Sequence, residues 1–168
     1  MIQAIVYTSN TGNTAAYAEL LGERTGVPVY PLSSARKKLS AGAQIIYMGW
    51  LMAGGVKGYK AAAKRYRVCA VCGVGMGGTG TQLDEVRKAN GIPQSTALFT
   101  LQGGINLQKL HGVYRFMMNI ACKAAGKGLS EKQERTPEEE DMLRMMQQNE
   151  SRVSADNLAA VIAWYNER

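Results

Sequence analysis

Six consecutive residues, Ser9-Asn10-Thr11-Gly12-Asn13-Thr14, place three hydroxyls and two carboxamides around one glycine. They stand between an apolar run, residues 2–7, and a helical pattern over residues 14–25 that Gly26 closes. Hydroxyls and backbone N–H groups at a helix N-terminus suit a phosphate, because the helix dipole adds positive potential there. The loop carries no lysine, so it is not the Gly-x-x-x-x-Gly-Lys-Ser/Thr loop that handles a triphosphate and its magnesium. A neutral, hydroxyl-rich loop fits a single terminal phosphomonoester. The alternative is ordinary helix capping by Thr and Asn, and the hydroxyls here exceed what capping needs.

Two further loops carry candidate ligand-binding residues. Gly49-Trp50-Leu51-Met52-Ala53-Gly54-Gly55 follows a third apolar run, and Gly73-Val74-Gly75-Met76-Gly77-Gly78-Thr79-Gly80 follows a fourth. The glycine-rich loop contains Gly-x-Gly-x-x-Gly twice. A dinucleotide fingerprint, however, belongs after the first strand, with an acidic residue ~20 positions further on. Neither condition is met, and close backbone approach to a flat ring explains the glycines better. His111 is the only histidine, which rules out a metal site built from several histidines.

The elements that position these loops read as alternating strands and helices. Strands are expected over 2–7, 27–32, 44–49, 68–74 and 97–101, and helices over 14–25, 57–66 and 81–89, the last closed by Asn90-Gly91. Strands that are continuous apolar runs separated by helices indicate a parallel sheet covered on both faces. Right-handed crossovers make that sheet open and doubly wound, with ligands at the carboxyl ends of its strands. Beyond residue 105 the pattern is helical only, over 107–127 and 155–165. Ser130–Gln133 and Thr136–Glu139 read as capping boxes, with Pro137 at a first helical position. The acidic run Glu138-Glu139-Glu140-Asp141 then reads as a helix start rather than a metal site. The whole chain is expected to form one domain.

The first loop resembles the flavodoxin family, whose pattern Ser/Thr-x-Thr-Gly-x-Thr after the first strand is matched by Ser9, Thr11, Gly12 and Thr14. The resemblance implies a five-stranded sheet in the order 2-1-3-4-5, with FMN held through its phosphate by residues 9–14. It also implies that the Trp50–Gly54 loop covers the isoalloxazine, with Trp50 as the stacking candidate and plain core packing as the alternative. In related oxidoreductases the aromatic of this loop aligns with Ala53. Gly75, Met76, Gly77, Gly78 and Thr79 would line the ring from the other side. Residues 101–110, with Arg115-Phe116-Met117-Met118, are similar to a narrower branch that includes menaquinone-dependent protoporphyrinogen oxidases. That likeness implies an outer substrate wall over residues 103–118, where Lys109 and Arg115 would pair with carboxylates. A lysine-free loop fits FMN and not FAD, whose adenylated diphosphate would leave through a loop without a charge partner.

Composition limits the remaining classes. A chain of 168 residues with 46% hydrophobic content can bury one core. No apolar run reaches the ~18 residues that span a bilayer. With no basic leader at residues 1–7 and an odd count of three cysteines, a reducing, cytoplasmic setting is expected. Cys69 and Cys72 fall three apart in a strand, so they should point to opposite faces as structural thiols. Residues 1–128 carry 15 basic and 4 acidic residues, a surplus of +11, and residues 129–168 carry 5 and 9, a balance of −4. The basic body suits an anionic ligand or peripheral contact with an anionic membrane. No nucleic-acid-binding signature accompanies the charge.

Three functions stay open: an FMN oxidoreductase acting on a small anionic or quinone-like substrate, a one-electron carrier docking on redox partner proteins, and a flavin-free binding domain. Positive potential stabilises a reduced, anionic flavin, which favours the oxidoreductase over a low-potential carrier.

Overall fold

A computed structural model describes residues 1–104, 112–148 and 150–168. The chain runs β1 (Ala4–Thr8), α1 (Asn13–Thr25), β2 (Val29–Pro31), α2 (Leu32–Ala35), β3 (Gln44–Met52), β4 (Gly55–Val56), α3 (Tyr59–Arg65), β5 (Arg67–Gly75), α4 (Leu83–Asn90) and β6 (Ala97–Gln102). Helices α5 (Gly112–Glu131) and α6 (Pro137–Gln148) follow, then a 3₁₀ turn (Ala155–Leu158) and α7 (Ala159–Asn166).

Strand alternation builds two cores from one sheet. Ile5, Ile46 and Met48 point to the face covered by Tyr17 and Leu21 of α1 and Val161 of α7. Their neighbours Val6, Ile45 and Tyr47 point to the opposite face, under Ala35 of α2, Ala62 of α3 and Val86 of α4. A sheet buried on both faces needs apolar residues at successive positions, which is why these strands read as unbroken runs. The C-terminal segment belongs to this core. Leu158 and Val161 are fully buried, and the Asn157 amide donates to the Tyr17 hydroxyl (2.7 Å), which itself donates to Gln102 O (2.6 Å).

The sheet path is β2-β1-β3-β5-β6, all parallel, rather than the expected 2-1-3-4-5. The difference is the two-residue β4, which folds back antiparallel on the end of β3. Residues 50–52, expected in a loop, are therefore strand, and the turn is only Ala53-Gly54. Both turn residues have positive φ (47° and 75°), as a tight two-residue hairpin requires. The second strand is shorter than expected because Leu32 already begins α2.

A bulge corrects the reading of the two cysteines. Ile45 pairs with Val68 but Ile46 pairs with Ala70, so Cys69 is an extra residue in the ladder. Such a bulge resets the in/out alternation. Cys69 and Cys72 consequently pack in the same apolar cluster, beneath α1 and α7, and not on opposite faces. Both thiols are free, and complete burial pushes Cys72 up to about 12.

Only one of the two expected capping boxes starts a helix. The Thr136 N–H donates to the Glu139 carboxylate (3.0 Å) and the Glu139 N–H to the Thr136 hydroxyl (3.3 Å). Ser130 instead lies inside α5, which runs on to Glu131.

Candidate functional site

Because β1, β3, β5 and β6 are parallel, their carboxyl ends share one edge, and a cleft of about 210 Å³ opens there. It lies between the β1–α1 loop, the β3–β4 hairpin and the β5–α4 loop. Open parallel sheets bind ligands at this edge.

The first wall is the loop of residues 9–14. Gly12 sits just ahead of α1 at φ 100°, a conformation that L side chains avoid, and no side chain caps the helix. Ala16 is the first helical residue whose N–H reaches a carbonyl, that of Gly12 (2.9 Å). The N–H groups of Asn13, Thr14 and Ala15 thus have no carbonyl partner among the described residues. Thr14 is 1% exposed, lines the cleft, and its hydroxyl makes no hydrogen bond among the described residues. A hydroxyl at this place can donate to a ligand acceptor in the cleft. Asn10 and Thr11 line the cleft beside it.

Two loop residues have structural duties instead. The Ser9 hydroxyl accepts the Gly12 N–H (3.2 Å) and so shapes the turn. Asn13 donates to Gly104 O (3.2 Å) and accepts from the Ser151 hydroxyl (2.9 Å), tying the loop to the end of β6 and to the C-terminal segment. Asn13 still lines the cleft, whereas Ser9 and Gly12 line a neighbouring groove.

The second wall comes from β3 and its hairpin: Trp50, Leu51, Ala53 and Gly54 line the cleft, and Met52 does not. The Lys57 ammonium lies 5.7 Å from the centre of the Trp50 ring, within cation–π range. Asn90, expected only to help close a helix, holds this hairpin. Its side chain accepts from Val56 N–H (2.8 Å) and donates to Gly54 O (2.9 Å).

On the third wall Gly75, Met76 and Gly77 line the cleft, while Gly78 and Thr79 do not. Gly78 O accepts from the Thr81 hydroxyl (2.7 Å), and the Thr79 hydroxyl accepts Gln102 N–H (3.0 Å), which binds this loop to β6. The glycines at 73 and 75 have a protein partner: a Cβ on either would come within 3.0 Å of the Leu51 side chain. Close approach explains them as expected, and the protein group that approaches is Leu51.

The cleft also takes Val74, Gln82 and Met142, which the sequence pattern did not single out as ligand-binding, and Gly104 from the start of the expected outer wall. Met142 comes from α6, which is latched across the strand ends. Asp141 accepts from the Gln102 amide (3.2 Å) and from the Arg152 guanidinium (2.8 Å), and that bond raises Arg152 above its ordinary value. No periodicity signals this placement, because it depends on where α6 lands after a long connection.

Lys109 and His111 lie outside the described residues. Arg115 is exposed on α5 with Phe116 and Met117, and none of the three lines the cleft. Described residues include no cluster of three His, Cys, Asp or Glu able to hold a metal. Those lining the cleft include no carboxylate, imidazole, thiol or amine. Among the described residues, the site offers groups that can bind and orient a ligand. No described helix is long and apolar enough to cross a membrane. No protein-family model, curated protein or solved structure matches this chain.

One expectation about the loop's surroundings changes. The groove beside Ser9 and Gly12 is lined by Arg36 and Lys37, so the loop of residues 9–14 has cationic neighbours although it contains none itself.

Proposed function

We propose that the chain is a flavodoxin-like FMN-binding domain that works as an oxidoreductase on a small anionic or quinone-like substrate. The observation that carries this reading is an uncapped helix N-terminus at the cleft, where the N–H groups of residues 13–15 and the Thr14 hydroxyl make no hydrogen bond among the described residues. A phosphate supplies the acceptors that this hydroxyl and the N–H groups of residues 13–15 lack. When the antiparallel β4 is not counted, the parallel path has the strand order of flavodoxin-like sheets.

Thr11 and Thr14 would hold the phosphate, and Trp50, Met76 and Met142 supply apolar surface for a flat ring. Bound FMN would supply hydride and electron transfer, for which no acid–base side chain is needed. Leu51 and Met142 add apolar lining, and Asn90 and Asp141 hold the walls of the cleft. The surplus of +11 over residues 1–128 favours an anionic substrate over a role as a low-potential carrier.

The test is a fluorescence titration of the protein with FMN and with riboflavin, which lacks the phosphate. FMN should bind one to one, and riboflavin more than about 150-fold more weakly, because it loses several charge-assisted hydrogen bonds of about 1.5–3 kcal/mol each. Equal affinities, or no binding of FMN by the folded protein, would overturn the reading.

A further inference from the structure

Helix α5 leaves large apolar side chains in water on one side: Val113, Phe116 and Ile120 are each more than half exposed, and Met117 nearly so. Spacings of three, four and seven residues stack these four on a single helix face. Cys122, half a turn away from that face, is buried, and α5 packs on α6. Apolar clusters of this kind on a protein surface mark a contact with a partner or a membrane. The four side chains line neither the cleft nor the groove beside Ser9, so they form a ridge rather than a pocket.

The charges that continue this face are positive. Lys123 lies seven positions after Phe116 and Lys127 seven after Ile120, so both extend the same side of the helix. Arg115 and Lys123 are exposed and make no ion pair among the described residues. The one acidic residue of α5 is Glu131, its last, which pairs with Lys127 (3.8 Å). On the neighbouring α6, Glu139 is held by Lys132 and Asp141 by Arg152.

We propose that α5 docks the protein on an anionic membrane surface, lying in the plane of the interface with Phe116 and Ile120 among the headgroups. This does not depend on what the cleft binds. Docking takes the apolar ridge out of water, while Lys123 and Lys127 lay their apolar stems along it and bring their ammonium groups to lipid phosphates. The surplus of +11 over residues 1–128 adds attraction at longer range. A second copy of the chain fits the ridge less well, because pairing two such faces brings two sets of cations into one apolar interface. A headgroup layer yields to a ridge, whereas a protein partner needs a matching groove.

The experiment is co-flotation of the full chain with vesicles of phosphatidylcholine alone and of phosphatidylcholine mixed equally with phosphatidylglycerol. The wild-type protein should bind the anionic vesicles about 25-fold or more tightly than the neutral ones, from two cations at about 5-fold each. F116Q/I120Q should weaken binding to the anionic vesicles about 10-fold or more, and K123Q, which keeps the apolar ridge, about 5-fold. All three positions are exposed and glutamine is a good helix former, so circular dichroism should be unchanged. Equal binding to both vesicles, no binding to the anionic ones, or binding that survives F116Q/I120Q or K123Q would overturn the proposal. A dimer in sedimentation equilibrium that F116Q/I120Q dissolves would also overturn it and assign the face to a second copy.

Discussion

Replacing Thr14 with valine keeps a β-branched side chain of nearly the same shape and removes only the hydroxyl. That hydroxyl lies at the cleft and has no hydrogen-bond partner among the described residues. Removing a hydroxyl that bonds no other protein group should change the stability of the free protein by less than about 1 kcal/mol. Ligand binding should change by more. A hydrogen bond to a charged phosphate contributes about 1.5–3 kcal/mol, so FMN affinity should fall about 10- to 150-fold. Urea denaturation of the ligand-free protein measures the first effect, and flavin fluorescence titration the second. The reasoning is refuted if Thr14→Val destabilises the free protein by more than about 1 kcal/mol, since the hydroxyl then serves the fold. It is equally refuted if FMN affinity does not change.

Ala53 occupies the left-handed region at φ 47°, where a Cβ costs ~1–2 kcal/mol. Ala53→Gly should therefore stabilise the protein by ~0.5–1 kcal/mol in urea denaturation, after the larger chain entropy of glycine is counted. At α6, a hydrogen bond from Lys132 and another from the Thr136 N–H hold the Glu139 carboxyl below the usual carboxylate range. A carboxyl whose folded value is depressed contributes stability above its unfolded value and loses it as pH falls through the folded one. Acid titration followed by helical circular dichroism should show that loss, and Glu139→Gln should make it smaller; an identical acid transition in the variant would discount the capping box.

What the sequence determined by itself was local. Continuous apolar runs bounded by turn residues marked all five parallel strands. The crowding of hydroxyls at residues 9–14 marked the loop that opens α1, and Thr136 with Glu139 marked a helix start. Each of these depends on neighbours a few positions apart, so its signal survives in one dimension. Tertiary structure decided the rest. A single bulged residue, Cys69, turned two cysteines to the same face, because strand parity depends on the partner strand's register. Gly73 and Gly75 proved to make room for Leu51 of the adjacent strand. Asp141 and Met142, legible only as part of an acidic helix start, closed the cleft from 40 residues beyond β6, and Arg36 and Lys37 came to stand beside a loop more than 20 residues earlier in the chain. Such contacts join distant segments through packing, and no local spacing in the sequence encodes them.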